Sequence, residues 1–330
     1  MIPELLPFAS TQEPSLETLQ EFLRTMWRIR RTEERAGQMY TMGKIGGFCH
    51  MYIGQEAIAT AASAVMAPQD TTVTSYRCHG HMIARGASLR SVLGELLGKK
   101  SGCSGGKGGS MHMFHTEKNF YGGHGIVGAQ TALGTGMAFS HAYKKDGGIC
   151  FTFLGDGATN QGQFFESMNM AVLLKLPVLY LIENNEYSMG TSVARGCAGG
   201  ALYKRGEPFG IPGCHTDGQD VRHLYKLFQS AARYVREKQH PFLIEILTHR
   251  FQGHSITDPG TYRTKDHVNT LKTQRDPIRV LSAFLLEQGC TSELLETIDE
   301  EIRQEVKETI AHVEKDPEPP MEDLFTHVLL

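Results

Sequence analysis

The sequence predicts an α/β fold in which a mainly parallel sheet is flanked by helices. Two apolar runs, at residues 149–154 and 178–182, have the length of buried strands, and an amphipathic, helix-like segment lies between them. A third apolar run, at residues 242–248, follows another amphipathic segment. Because neighbouring parallel strands need a crossover connection, usually a helix, this alternation predicts parallel pairing.

The segments before these strands predict one long helix and then a region of short elements. Residues 15–42 have helical periodicity. The apolar side of this helix is formed by Leu19, Phe22, Leu23, Met26, Trp27 and Ile29. Glycines punctuate residues 43–136, where a β-branched run at 71–74 and helices such as 89–98 alternate with loops.

The C-terminal half is predicted to be mostly helical. Asp220 is placed to cap a helix over residues 220–238. Residues 250–276 are polar and without periodicity, and are predicted to be a loop. Helical periodicity returns over residues 277–288 and from 291 to about 314. The predicted division is an N-terminal helical extension (1–45), a ligand-binding domain (46–275) and a C-terminal helical extension (276–330).

Composition argues against several classes of function. The chain has 330 residues, a formal net charge of −3 and a pI near 6.6, which disfavour a nucleic-acid-binding surface or a polybasic membrane patch. No apolar run reaches bilayer length, and the first residues resemble neither a secretory signal nor a transit peptide. We therefore expect a cytoplasmic protein; a mitochondrial or plastid matrix location would require that a transit peptide had been removed.

The cysteine pattern predicts reduced thiols. The chain has seven cysteines, an odd number, and no CxxC pair. In a chain of this length, that pattern favours small buried side chains over a disulfide framework or a zinc site.

A metal and phosphate site is predicted at the ends of two strands. Gly155, Asp156 and Gly157 follow the first apolar run, and Asn185 follows the second. Because the carboxyl ends of parallel strands meet at one sheet edge, Asp156 and Asn185 should lie side by side there. A carboxylate and an amide oxygen suit Mg²⁺ whose shell is completed by phosphate oxygens and water. The two glycines leave the backbone bare, so that a diphosphate can approach.

Residues 123–128 match the GxGxxG pattern of dinucleotide-binding proteins. Residues 118–122 before it are predicted not to form a strand, and Asp146 lies in a turn from which it could not reach a ribose. A nucleotide-binding dehydrogenase is therefore the less favoured alternative. A glycine loop that presses its backbone against a flat heterocycle fits better.

Residues 105–110 form a second glycine-rich segment, Gly-Gly-Lys-Gly-Gly-Ser. It fails the P-loop pattern because Ser101 stands at the first glycine position and Gly108 at the metal-binding Ser/Thr position. A ligand role and a flexible loop between helices remain equally open.

Basic residues near the predicted strand ends are candidates for anion binding. Arg77 follows the β-branched run and could clamp a phosphate. His79 and His81 have no third ligand cluster, so we interpret them as hydrogen-bonded histidines rather than metal ligands. His254, beside Ser255 in the polar loop, lies where a mobile segment could swing over a pocket.

Taken together, the chain resembles the alpha subunits of the decarboxylating component of the pyruvate dehydrogenase complex. The likeness spans roughly residues 28–277 and is carried by GGFCHMYIGQEA (46–57), SYRCHGH (75–81), GGKGGSMHM (105–113), GDGATNQGQFFES (155–167), ENNEYSMGTS (183–192) and GHSITDPGTYRT (253–264). It implies a thiamine diphosphate-binding fold. Alpha subunits of acetoin and branched-chain 2-oxoacid dehydrogenases share the Gly-Asp-Gly and Asn-Asn core and are the nearest alternative. A non-catalytic scaffold is disfavoured because Asp156, Asn185 and His254 are present.

The resemblance assigns residues to Mg²⁺ and to the diphosphate of the cofactor. The side chains of Asp156 and Asn185 and the carbonyl of Tyr187 would hold Mg²⁺. The diphosphate would be contacted by Tyr76, Arg77, Gly157 and Ala158.

Other residues are assigned to the cofactor ring and the substrate. Gly125 and Val127 would present backbone groups to the aminopyrimidine. His50 would lie near the substrate, and His254 would sit over the cofactor on a loop that orders when cofactor binds. Ser255 matches the serine that a dedicated kinase modifies in eukaryotic relatives.

The implied reaction is the oxidative decarboxylation of pyruvate, with transfer of the acetyl group to the lipoyl group of an acyltransferase component. In this family a glutamate of the beta subunit activates the cofactor, so that an α₂β₂ heterotetramer is implied and the chain alone should be incomplete. Three features depart from the pattern: His124 stands where Asn is usual, Gln252 replaces a loop His, and one residue is missing near Thr261. They weaken the case for kinase control and leave the metal site unchanged.

Overall fold

A six-stranded sheet forms the centre of the molecule, which we describe from a computed structural model over residues 11–326. All neighbouring strands pair in parallel, in the order β2-β1-β3-β4-β8-β7. The strands are β1 (Thr71–Ser75), β2 (Phe120–His124), β3 (Cys150–Gly155), β4 (Val178–Asn184), β7 (Gly213–Asp217) and β8 (Phe242–Leu247). A small antiparallel ribbon, β5 (Tyr187–Ser188) with β6 (Thr191–Ser192), follows β4.

Helices cover both faces of the sheet. In chain order they are α1 (Leu16–Thr41), α2 (Glu56–Val65), α3 (His79–Ala84), α4 (Leu89–Leu96), α5 (Ala129–Lys144), α6 (Gly162–Leu173), α7 (Val193–Gly196), α8 (Val221–Lys238), α9 (Lys265–Gln274), α10 (Pro277–Glu287) and α11 (Ser292–Val313). Side chains alternate along the strands, so that Phe151 and Phe153 pack with α1, α2 and α8 while Cys150 and Leu154 pack with α5 and α6. The architecture confirms the predicted α/β fold with a mainly parallel sheet.

The long predicted helices are confirmed, and both α1 and α8 begin at a side-chain cap, as predicted for Asp220. Ser15 caps α1 by accepting a hydrogen bond from the backbone N–H of Thr18, and Asp220 caps α8 through the N–H of Arg222. The helix α11 is solvated on one side only. Its other side buries Ile298, Ile302, Val306, Ile310 and Val313.

The prediction that residues 118–122 form no strand is wrong. Phe120 is fully buried and opens β2, which pairs with β1 at the edge of the sheet. Gly122 and Gly123 interrupt the apolar pattern of this strand in the sequence. Close packing explains why both positions are glycines. A Cβ on Gly122 would lie 2.4 Å from the Phe114 ring, and one on Gly123 would lie 2.5 Å from the Cys78 sulfur.

The prediction that residues 250–276 form one loop is wrong over its second half. Residues Lys265–Gln274 form α9, which Thr264 caps through the N–H of His267. Only Leu271 of this helix is buried, so the sequence has no apolar periodicity here that would predict a helix. The strand β7 was also not predicted.

Residues 1–10 of the predicted N-terminal extension and 327–330 of the C-terminal extension lie outside the described residues. The three-part division stays a prediction. Within residues 11–326, no helix is long and apolar enough to cross a membrane. All seven cysteines are free, as predicted, and five of them are buried.

Candidate active site

A cavity of about 820 Å³ lies at the carboxyl ends of the parallel strands. Ser75 at the end of β1, Gly155 at the end of β3 and Glu183 near the end of β4 all line it. The structure brings together every residue that the sequence analysis assigned to the site: His50, Tyr76, Arg77, Gly125, Val127, Asp156, Gly157, Ala158, Asn185, Tyr187, His254 and Ser255. Their individual roles stay predictions.

Asp156 and Asn185 are neighbours because β3 and β4 pair in register, with Gly155 opposite Glu183. The Asp156 carboxylate accepts a hydrogen bond from the Ser188 hydroxyl over 2.9 Å. Burial nevertheless raises the pKa of Asp156, against the opposing effects of Ser188 and Arg250. The Asn185 side-chain oxygen is buried and has no partner among the described residues. A buried carboxylate and an unpartnered amide oxygen together favour a cation here.

The two glycines beside Asp156 have different environments. A Cβ on Gly155 would meet no atom within 4 Å, so this backbone is open, as a diphosphate would require. A Cβ on Gly157 would lie 2.0 Å from the hydroxyl oxygen of Ser188. Gly157 is therefore needed to admit the hydroxyl that holds Asp156.

Two buried arginines make the cavity strongly cationic. The Arg77 guanidinium donates to the carbonyl of Met51 over 2.5 Å and to that of His254 over 2.8 Å. Arg250 is 2 % exposed, and its Nε has no partner in the described part of the chain. Burial and the neighbouring charge of Arg77 lower the pKa of Arg250 to about 10. Two buried like charges with so little compensation favour an anionic ligand.

Two histidines and a tyrosine form a ring cluster beside these cations. The His50 ring centroid lies 4.6 Å from that of Tyr76 and 5.1 Å from that of His254. Burial, with the charge of Arg77, lowers the pKa of His50 to about 3 and that of His254 to about 4. Both rings are therefore neutral near pH 7, and the Nδ1 of His50 has no partner within residues 11–326.

The GxGxxG segment forms one wall of the cavity. It runs from the end of β2 to Gly128, which has φ 87° and immediately precedes α5. Gly125 and Val127 line the cavity, as does Gln130, whose buried carboxamide has no partner in the described chain. Asp146 lies elsewhere, bonded to His141 and to the N–H of Gly148, in agreement with the prediction that it does not reach a ligand here.

The second glycine-rich segment surrounds a carboxylate of the chain itself. Glu95 is fully buried, and its two oxygens accept hydrogen bonds from the backbone N–H groups of Ser104, Gly106, Gly108 and Gly109 over 2.6 to 3.0 Å. These N–H groups therefore bind an internal anion. Neither a phosphate loop nor a flexible loop describes the segment.

His79 and His81 are hydrogen-bonded within the core, as predicted. His79 contacts Glu33 over 3.0 Å and the Ser110 hydroxyl over 2.8 Å, and His81 contacts Glu183 over 3.1 Å. Within residues 11–326, no group of three or more His, Cys, Asp or Glu side chains could hold a metal ion. A cation beside Asp156 would need oxygen ligands from a bound molecule or water.

Sequence reasoning did not assign Gln55, Gln130 and Ser188 to the site. Arg250, which lies three positions after the last residue of β8 and next to the polar loop, could be expected near the diphosphate from that position. Gln55 and Ser188 carry no signal of their own, because their partners Asn185 and Asp156 lie far away in the chain, and Gln130 has no partner among the described residues.

The fold and site define a class: an α/β protein whose sheet edge brings a buried carboxylate, and an amide oxygen without a partner among the described residues, into the same cavity as two buried arginines. Residues 24–322 match the family model described as the Dehydrogenase E1 component, and the chain belongs to this family. The family is thiamine diphosphate-dependent. The open backbone at Gly155, the buried arginines and the unpartnered Asn185 oxygen fit a bound diphosphate with its cation.

Characterised relatives share about half of the sequence. A pyruvate dehydrogenase E1 component subunit alpha from Rickettsia bellii is 50% identical over 317 residues, which cover 96% of this chain and 97% of that protein. The protein of the same name from Rhizobium meliloti is 49% identical over 93% of this chain and 88% of its own length. The mitochondrial protein from Sminthopsis macroura is 45% identical over 93% and 84%.

Proposed function

We propose that this chain is the alpha subunit of a pyruvate dehydrogenase E1 component. With thiamine diphosphate, Mg²⁺ and a beta subunit, it would oxidatively decarboxylate pyruvate and transfer the acetyl group to the lipoyl group of an acyltransferase component. The names of the relatives at 45% to 50% identity support pyruvate as the substrate. The bacterial relatives support the cytoplasmic location that the sequence predicts.

One observation carries the proposal: the buried carboxylate of Asp156 and the Asn185 amide oxygen, which has no partner within residues 11–326, line the same cavity as two buried arginines. A cation bound to the two oxygens and a diphosphate bound to Arg77 and Arg250 would neutralise each other. Neither ligand alone would balance the charges of the cavity, since a cation alone would face the arginines and a lone diphosphate would face Asp156.

The remaining residues would orient the ligand and move protons. Backbone groups of Gly125 and Val127 would hold the flat ring, and the carbonyl of Tyr187 would complete the cation's protein ligands. When bound, the cofactor supplies the electron sink for decarboxylation. His50 and His254 are neutral near pH 7 and line the cavity. Nδ1 of His254 accepts a hydrogen bond from Arg250 over 3.1 Å, so that His254 would exchange a proton with the substrate through Nε2, and His50 through either ring nitrogen.

Two features support a second protein chain at the site. Of the carboxylates that line the cavity within residues 11–326, Asp156 belongs to the cation site, Glu183 is bonded to Tyr52 and His81, and Asp258 is bonded to the N–H groups of His254 and Gly260. None is left to act on the far side of a bound ring. In addition, α5 exposes Leu133, Phe139 and Tyr143, and α6 with the residue after it exposes Met170, Leu173 and Leu174.

Substrate choice is tested with the chain copurified with its native partner. Release of ¹⁴CO₂ should be fastest from pyruvate and slower from branched-chain 2-oxo acids, and acetoin should reduce an artificial acceptor only slowly. A preference for acetoin or a branched-chain substrate would assign the chain to one of those dehydrogenases instead.

A further inference from the structure

The carboxamide of Gln55 lies directly behind the predicted cation site. Gln55 immediately precedes α2, is fully buried and lines the cavity. Its Oε1 accepts a hydrogen bond from Nδ2 of Asn185 over 3.2 Å. Two atoms of this pair, Nε2 of Gln55 and Oδ1 of Asn185, have no partner within residues 11–326. One hydrogen bond therefore joins the two amides, while the Gln55 nitrogen and the Asn185 oxygen remain without partners among the described residues.

We propose that Gln55 is a positioning residue that holds the amide of Asn185 with its oxygen toward the cation. The inference rests on the proposed function, because it assumes a cation between Asp156 and Asn185. The register of β3 with β4 already places the Asn185 backbone beside Asp156. What remains free is rotation of the amide, which decides whether an oxygen or an NH₂ group faces the cation.

Only one orientation of the two carboxamides suits a cation together with an anion. In the observed one, the Asn185 oxygen can bind the cation while Nε2 of Gln55 remains a donor for a phosphate oxygen. Rotating both amides would keep their mutual hydrogen bond. It would also turn the Asn185 NH₂ toward the cation and the Gln55 oxygen toward the phosphate, and both contacts would be repulsive. The bound ligands and the Gln55–Asn185 bond therefore select the same arrangement.

The experiment measures Mn²⁺ binding to the full chain with its partner, from the electron paramagnetic resonance of the free ion at saturating thiamine diphosphate. Gln55→Met keeps the size of the side chain and removes the amide acceptor. It should weaken Mn²⁺ binding by about tenfold or more, the usual effect of losing a group that orients a metal ligand. The matched control is Gln219→Met, since Gln219 is also a buried glutamine with an unpartnered carboxamide but does not line the cavity. It should bind Mn²⁺ as the unmodified protein does.

Making the same substitution in the Asn185→Asp protein distinguishes a loss of amide orientation from a loss of structure. In Asn185→Asp, both side-chain oxygens are equivalent, so that no orienting partner is needed. Gln55→Met should then weaken Mn²⁺ binding by less than about threefold. If Gln55→Met does not fold, Gln55→Ala, which also removes the acceptor for Asn185, is measured in both backgrounds and should weaken Mn²⁺ binding only where Asn185 is kept.

The outcomes distinguish this inference from the proposed function. If Asp156→Asn binds Mn²⁺ normally, the cation site itself is wrong. If Asp156→Asn loses Mn²⁺ while Gln55→Met binds it normally, only the role of Gln55 is overturned. Equal losses in Gln55→Met and Gln219→Met, or an undiminished loss in the Asn185→Asp background, would also overturn it.

Discussion

At the residue scale, the carboxylate of Asp156 is a charged group buried in the protein. Its carboxylate is 2 % exposed, and burial raises its pKa even though Ser188 and Arg250 oppose the change. A buried charge of this kind is stabilised when a cation binds beside it.

Asp156→Ala should abolish Mg²⁺-dependent binding of thiamine diphosphate while leaving the fold intact, because the alanine leaves the diphosphate's cation without its only anionic protein ligand. Calorimetric titration measures the affinity. The control is Asp146→Ala, which removes a carboxylate outside the cavity and should bind thiamine diphosphate with normal affinity. Near-normal affinity in Asp156→Ala would contradict the site assignment.

The two cavity histidines should make stability depend on pH. Their folded-state pKa values, about 3 for His50 and about 4 for His254, lie below the ordinary value of 6.5, so the unfolded chain binds more protons as pH falls below that value. Their contribution to stability is therefore complete above about pH 6.5 and is lost as pH falls toward 4. His254→Gln should reduce this loss in urea unfolding at pH 7.5 and 5, whereas the exposed His312→Gln should not. Identical pH dependence in all three proteins would contradict the assigned environment of His254.

At this scale the sequence predicts residues that follow strands, and misses residues defined by their partners. Asp156 and Asn185 could be predicted because apolar runs end just before them. Gln55 could not, because it is a single glutamine before a helix and its partner lies 130 positions away in the chain. Gln130 could not be predicted either, because it lines the cavity only through the position at which α5 begins.

At the scale of elements, the loop that carries His254 is organised by one of its own side chains. Asp258 accepts hydrogen bonds from the N–H groups of His254 and Gly260 and from the hydroxyl of Tyr262. Ser255 is 7 % exposed, lines the cavity and contacts the Thr257 hydroxyl over 3.0 Å. A negative charge at Ser255 would therefore be buried beside the bound diphosphate.

Ser255→Glu should weaken thiamine diphosphate binding by about tenfold or more, through desolvation and like-charge repulsion. Ser255→Ala should bind normally. Ser255→Gln has the size of glutamate without its charge, so a loss in both the Glu and Gln variants would point to size rather than electrostatics and contradict the prediction.

The glycine-rich segment around Glu95 depends on a carboxylate rather than on its own flexibility. Glu95→Gln replaces one of two acceptor oxygens with an NH₂ group and leaves about two buried N–H groups without partners. We expect the free energy of unfolding to fall by about 2 to 4 kcal/mol in urea denaturation. Glu287→Gln, at an exposed position, should change it little, and an equally small effect at Glu95 would contradict this account of the loop.

Strands and helices could be predicted where burial leaves a periodic trace. The strands β3, β4 and β8 are apolar runs, and α1 has an apolar side. In contrast, β2 contains Gly122 and Gly123, and β7 is an edge strand in which only Cys214 and Thr216 are buried. The helix α9 buries only Leu271. Tertiary packing and capping stabilise such elements, and neither leaves a periodic apolar pattern in the sequence.

At the scale of the whole molecule, the proposed function makes the chain one half of a reaction centre. Its cavity holds the groups for a cation and a diphosphate, while its lining carboxylates within residues 11–326 are already engaged. One residue of α5, Gln130, lines the cavity, and α5 and α6 both expose apolar side chains. The central claim is that catalysis requires a second chain to complete this cavity.

That claim is tested most directly by measuring ¹⁴CO₂ release from [1-¹⁴C]pyruvate, with thiamine diphosphate and Mg²⁺, by the purified chain alone and after addition of its beta partner. We predict no turnover above background for the chain alone, although it carries Asp156, Asn185 and His254, and robust turnover once the partner is added. Sustained turnover by the rigorously purified single chain would show that it carries its own activating acid, and would contradict the account.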